Sequence, residues 1–113
     1  MALALNIFKT VTSVAPTSAV GIYTAPVGYT GVVLLAQAAN IDSSTYTLSF
    51  SHQRIVAGIA VTTEIVKNFA IPGNDTVSLL QGKLVLESGD TLILSANNGT
   101  SLKIIASILE TLN

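Results

Sequence analysis

Polar and apolar residues alternate most cleanly over residues 45–52, where Tyr46, Leu48, Phe50 and His52 fall on one side and Thr45, Thr47, Ser49 and Ser51 on the other. Successive side chains of a strand point to opposite faces, so this segment predicts a strand with one buried and one wet face. Ile65, Lys67, Phe69 and Ile71 alternate again against Val66, Asn68 and Ala70, until Pro72-Gly73-Asn74-Asp75 stops the strand. Upstream, Leu3, Leu5 and Ile7 begin a strand that weakens through Lys9, Val11 and Ser13 and ends near Ala15-Pro16. Residues 20–24 form a short strand closed by Ala25-Pro26-Val27-Gly28. Residues 29–39 are apolar on both faces (Val33 and Leu35 on one, Val32, Leu34 and Ala36 on the other), which predicts an interior strand covered on both sides. Residues 40–44 read as a loop. Residues 54–61 are ambiguous, and Gly58 weakens any regular element there.

The stretch 84–110 tests strand register. A two-residue turn at Asn98-Gly99 would set Leu94 opposite Lys103 and mix both faces. A three-residue loop over Asn97-Asn98-Gly99, with the glycine left-handed, puts Leu92, Leu94 and Ala96 on one face with Leu102, Ile104 and Ala106. Burial selects the second register, because a one-residue slip moves every side chain to the other face. Leu102, Ile105, Leu109 and Leu112 also match a helix face, but the Ile-rich content and the completed strand face favour a strand. The whole predicts an all-β fold: a single domain over 1–113, an antiparallel β-sandwich, jelly-roll-like, of about eight short strands.

Composition changes the picture at the surface. Half of the 113 residues are hydrophobic and 10% are charged, where an ordinary soluble domain carries about 25%. A monomer of this mass exposes on the order of 6,000 Å², so neutral areas separate the charges and favour self-association or docking. The net charge of −1 and the scattered Lys9, Arg54, Lys67, Lys83 and Lys103 argue against nucleic acid as a partner. Cysteine is absent, which excludes a disulfide framework and thiolate chemistry. The first nine residues hold too short an apolar run for a signal peptide, and the longest apolar run, 32–36, is far below a membrane span.

Candidate chemistry is sparse. His52 is the sole histidine, no G-x-S-x-G elbow accompanies it, and a strand-end histidine at the rim of the core is the favoured reading. Arg54 reads as a solvated arginine or one that pairs with a carboxylate or a neighbouring subunit. Asp42, Glu64, Asp75, Glu87, Asp90 and Glu110 would have to supply any acid/base pair, and four of them sit in or beside turns. Asn74-Asp75 and Ser88-Gly89-Asp90 offer oxygens of the kind calcium takes, without EF-hand spacing, so turn formation is preferred. Zinc clusters and phosphate loops of recognised spacing are missing, and Tyr23, Tyr29 and Tyr46 read as strand aromatics of a small core. These residues predict no enzyme and no cofactor.

Several segments carry a resemblance: Tyr23-Thr24-Ala25-Pro26, then Val32-Val33-Leu34-Leu35-Ala36-Gln37-Ala38, Gly82-Lys83-Leu84-Val85-Leu86-Glu87, Ser88-Gly89-Asp90-Thr91-Leu92 and Ser107-Ile108-Leu109-Glu110. In style and order they resemble the small all-β structural proteins in virions of tailed, marine-type bacteriophages. The resemblance implies a capsid decoration or cement protein, or a neck, tail or fibre component, assembled in the host cytoplasm into the virion. It also implies self-association, with a trimer around a threefold axis the favoured form, and contact with a major capsid protein. No catalytic residue transfers. Interface candidates are the residues expected to face away from the core: Leu3, Leu5, Ile7, Ile93, Ile105 and Leu109. The competing reading is that a sandwich buries both faces of its central strands.

Overall fold

A computed structural model describes residues 5–113 and builds them into nine strands: β1 Asn6–Val14, β2 Val20–Thr24, β3 Tyr29–Asn40, β4 Tyr46–Val56, β5 Ile59–Ile71, β6 Thr76–Ser78, β7 Leu84–Leu86, β8 Thr91–Ala96 and β9 Leu102–Leu112. Period-two burial explains them. In β9 Leu102, Ile104, Ala106, Ile108 and Glu110 are buried while Lys103 and Ile105 are exposed. In β4 Leu48 and Phe50 are fully buried, on the face that the alternation predicts.

Two antiparallel sheets result, one ordered β1-β9-β3-β6 with β7 also on β3, the other ordered β2-β8-β4-β5. Taken as one edge strand interrupted at residues 79–83, β6 and β7 leave eight positions in the order of a two-sheet jelly roll. The chain changes sheet at nearly every connection, and among the described residues β4 to β5 is the one hairpin between strands consecutive in sequence. Val33, Leu48, Phe50, Leu92, Leu94 and Ile108, drawn from both sheets, are fully buried in the core between them.

The expected hairpin of residues 84–110 does not form. β8 pairs with β2 and β4, β9 pairs with β1 and β3, and Leu92 and Leu94 meet Leu102, Ile104 and Ala106 across the sandwich instead of along one sheet. Alternation fixes which side chains seek the core and leaves the neighbouring strand open. The connection runs over 97–101, where Asn98 Oδ1 accepts the amides of Thr100 and Ser101 at 2.9 Å, and Gly99 is not left-handed. Residues 54–61, ambiguous in the sequence, continue β4 and β5 through a turn at Ala57 (φ 51°) and Gly58 (φ 80°). Positive φ at both positions matches a type I′ turn, whose twist suits a hairpin.

Loops 41–45, 72–75 and 97–101 gather at one end. Tyr46 donates to Asp42 (2.9 Å), the Asn74 amide bonds the Asp42 carbonyl (2.9 Å), and Asn40 Nδ2 bonds the Ile71 carbonyl (3.0 Å). Glycine is required at position 73, since a Cβ there would lie 2.1 Å from the Ser43 carbonyl oxygen.

Candidate functional site

Strand register arranges the outer face of the β1-β9-β3 sheet in rows. Phe8, Leu109, Val32 and Val85 are successive partners across β1, β9, β3 and β7, and directly opposed residues share a face. Phe8 is 75% exposed and Val85 55%. The next row is Thr10, Ser107 and Leu35, followed by Thr12, Ile105, Gln37 and Ser78, then by Val14, Lys103, Ala39 and Thr76. The face therefore runs from an apolar end to a mixed end. Lys103 is the one charge in these rows, and the last two rows border an open groove of about 700 Å³.

The outer face of the other sheet is different. One row is Thr24, Thr91, Gln53 and Thr62, and another is Gly21, Ile93, Ser51 and Glu64. Hydroxyls and amides there bond to one another, Thr24 to Thr91 at 2.9 Å and Gln53 Nε2 to Thr62 at 3.3 Å. One side of the molecule is hydrocarbon-rich and open; on the other, hydroxyls and amides bond one another while Glu64 has no partner among the described residues.

The expected interface residues divide accordingly. Ile105 and Leu109 stand on the apolar outer face. Ile93 lies half-buried on the opposite side of the sandwich. Ile7 partners buried Glu110 and so shares the inward side of its sheet, Leu5 is exposed just before β1, and Leu3 lies outside the described residues. Sequence reasoning overlooked Phe8, Val85, Val32 and Leu35. The signal for Phe8 was its parity in β1, opposite to Ile7; β7 is too short to show alternation. For β3 the expectation of cover on both sides is corrected: Val33, Ala36 and Ala38 are buried inside, but Leu34 (36%) and Leu35 (38%) remain exposed because none of the described residues forms a layer outside this sheet.

The hairpin β4–β5 is the second prominent feature. β8 stops pairing with β4 at Gln53, so beyond it the two strands have only each other. Ile55 (59%), Val56 (51%), Ile59 (68%) and Val61 (46%) stand exposed on this projecting ribbon.

At its base, buried Asp90 accepts Arg54 Nε (2.9 Å), Arg54 Nη2 (2.6 Å), His52 Nε2 (2.9 Å) and the Glu87 amide (2.9 Å). Arg54 also pairs with Glu87 at 3.2 Å. The Arg54 guanidinium, helped by His52 and the Glu87 amide, holds the Asp90 carboxyl well below the usual carboxylate range although burial opposes it. These bonds consume the carboxylate in fixing the β7–β8 turn to β4. His52 sits at the rim of the core, and among the described residues no serine or threonine hydroxyl is bonded to it.

A second buried carboxylate, Glu110, accepts Tyr23 Oη (2.5 Å) and Lys9 Nζ (3.2 Å), stitching the sheets together. Tyr23 fits over Gly31, where a Cβ would come 3.2 Å from its hydroxyl. Burial, then the bond to Glu110, raises the Tyr23 phenol well above its ordinary value. Among the described residues, no three His, Cys, Asp or Glu side chains converge as metal ligands.

No protein-family model and no curated protein matches this sequence. Solved structures do. The chain superposes over 97% of its length on 32% of a chain from the T13 particle of infectious bursal disease virus, at 11% identity and a TM-score of 0.56. VP2 of that virus in T=1 particles gives 0.53 at 13% identity, covering 96% of this chain and 32% of that one. The CBM22-1 xylan-binding domain from Paenibacillus barcinonensis gives 0.50 at 13% identity, covering 91% of this chain and 71% of that domain. The chain thus spans about a third of the viral chains it matches. At such identities the likeness is one of fold, a β-sandwich shared with viral particle proteins and a carbohydrate-binding domain.

Proposed function

We propose that the chain is a non-enzymatic structural subunit of a virus particle, a decoration or cement protein that self-associates and clamps neighbouring capsid subunits. The observation that carries this reading is the open apolar face of Phe8, Leu109, Val32, Val85 and Ile105, on a surface where few charges remain. Covering it would remove hydrocarbon from water without stranding a charge. Its likeness in fold to viral particle chains supports the same reading. A tailed bacteriophage as the source rests on the sequence resemblance.

The test is sedimentation velocity of the purified chain beside Phe8→Asp/Ile105→Asp, followed by binding of each to capsid shells stripped of the protein. The native chain is expected to form an oligomer and to bind; the double variant, changed at exposed positions, is expected to melt normally yet remain monomeric and unbound. A native chain that stays monomeric and ignores shells overturns the proposal.

A second reading, a glycan-binding module of a neck, tail or fibre, is favoured by the fold likeness to a xylan-binding domain. Against it, the tyrosines are half-buried, and among the described aromatic side chains only Phe8 and Phe69 are exposed. Specific binding on a glycan array would prefer it.

A further inference from the structure

We infer that the open edge of β1 is a strand-pairing site for β1 of a second copy, antiparallel about a twofold axis at Thr10. This names the surface of the proposed self-association and rests on that reading.

A sheet edge presents a row of unpaired amides and carbonyls, and proteins blunt it with short strands, bulges, charges or proline. Three of the four edges here are blunted in these ways. β2 has five residues and a register shift between Gly21 and Tyr23. β5 carries Glu64, Lys67 and a left-handed Asn68 (φ 48°), and its register slips twice against β4. β6 and β7 have three residues each. β1 differs: its nine residues pair with β9 one to one, with no shift and no proline. Its one charge, Lys9, turns inward to buried Glu110.

The bonds at the two ends of β1 show which groups are open. Ala15 N–H donates to the Leu102 carbonyl, and the Leu5 carbonyl accepts Leu112 N–H, so the odd-numbered residues of β1 bond β9. The amides and carbonyls of Asn6, Phe8, Thr10, Thr12 and Val14 therefore point away from the sheet. Among the described residues only the Ser13 hydroxyl reaches one of them, the Val14 carbonyl at 3.4 Å.

The strand is complementary to itself. With Thr10 opposite Thr10 of the second copy, Phe8 meets Thr12 and Asn6 meets Val14, and the open residues of both strands exchange about ten backbone hydrogen bonds. Lys9 falls opposite Val11. Shifting the register one step either way loses bonds, and one of the two shifts sets Lys9 against Lys9. The contact is isologous and closes at two copies, where the sequence resemblance implies three. Directly opposed residues share a face, so the two outer faces join, with Phe8 of the second copy in the row of Thr12 and Ile105. The pair thus offers a doubled apolar surface to whatever it clamps. Nine residues span ~30 Å, and the joint covers less than the ~800 Å² per partner of a standard interface; association is modest and concentration-dependent.

Sedimentation velocity over a concentration series compares the native chain with Thr10→Pro. The amide removed bonds nothing within the molecule, and an edge strand tolerates proline where its N–H faces solvent. The variant is expected to melt near the native temperature and to associate at least about tenfold more weakly. Cysteine pairing reads the register without relying on that variant. In a protein without cysteine, Thr10→Cys should form a disulfide with itself, because the Cα atoms of a hydrogen-bonded pair lie about 5.5 Å apart, within disulfide range. Phe8→Cys and Thr12→Cys should link poorly to themselves and well to each other. If the native chain associates but Thr10→Pro leaves it unchanged, or Thr10→Cys links to itself no better than Thr12→Cys does, edge pairing is wrong while self-association stands. A native chain that is monomeric in solution, yet loses shell binding with Thr10→Pro, gives the edge to a capsid strand and overturns the twofold pair. A native chain monomeric at every concentration, with neither shell binding nor a Thr10→Cys disulfide, removes both readings.

Discussion

Replacing Asp90 with Asn keeps the shape of the side chain and removes its charge. Asp90 is 1% exposed and accepts four hydrogen bonds, three of them from His52 and Arg54. Breaking a buried ion pair from one side costs about 3–5 kcal/mol. Asn retains one carbonyl oxygen for the Glu87 amide or for Arg54, so a loss of about 3 kcal/mol is expected, a large share of the 5–15 kcal/mol typical of a domain. At about 5 °C per kcal/mol for this size, the melting temperature should fall by about 15 °C. The folded carboxyl titrates below its ordinary value; its stabilisation is therefore complete above that value and lost as pH falls through it. Urea unfolding followed by circular dichroism should show the full gap between native and variant at pH 7. Below about pH 4 the gap should close by roughly 1.4 kcal/mol per unit. A variant within 1 kcal/mol of native at pH 7, or a gap that persists unchanged to pH 2, would refute the claim that this carboxylate anchors the ribbon's base.

Tyr23→Phe should cost about 2 kcal/mol in the same assay, because it removes a donor to the buried carboxylate of Glu110. The raised Tyr23 phenol gives stability that is whole below about pH 10 and fades as alkali ionises it, with its ultraviolet titration delayed beyond that of free tyrosine. Gly73→Ala should destabilise by at least ~2 kcal/mol, since the new methyl collides with the Ser43 backbone. Gly99→Ala, whose Cβ would meet only Thr17 Cγ2 at 3.7 Å, should stay within about 0.5 kcal/mol; equal melting shifts for the two would refute the packing argument. Ala57→Asn should raise stability by about 0.5–1 kcal/mol, because Asn tolerates the left-handed turn position better than Ala, and a lower melting temperature would contradict it.

What local pattern could decide, it decided: the wet and dry faces of β4, the strand character of β9 against its helical alternative, and the jelly-roll class. What it could not decide was partnership. Leu92 and Leu94 seek apolar neighbours whether Ile104 lies beside them in one sheet or across the core, and only the long-range crossing of the chain distinguishes the two. The β4–β5 hairpin was hidden because its turn uses Ala57 where Asn or Asp would have advertised it. Arg54 and Asp90 stand 36 residues apart and Tyr23 and Glu110 stand 87 apart; no spacing rule joins them, and Asp90 beside Gly89 reads in isolation as an ordinary turn residue.

The charge deficit is sharper in the fold than in the composition. Of the eleven charged side chains, five are taken up in ion pairs, Lys9 with Glu110 and Arg54 with both Glu87 and Asp90. Asp42 and Asp75 accept bonds from their own loops. That leaves Glu64, Lys67, Lys83 and Lys103 to face water uncompensated on 6202 Å² of surface. Solubility of an isolated monomer would ask for more. The pairs that do form serve the interior, one closing the β7–β8 turn onto the ribbon's base and the other tying the two sheets, so the fold spends its few charges on holding two outer faces in fixed relation. On the proposed reading, a largely polar face and an apolar face left open suit a subunit whose orientation is set by what covers the second.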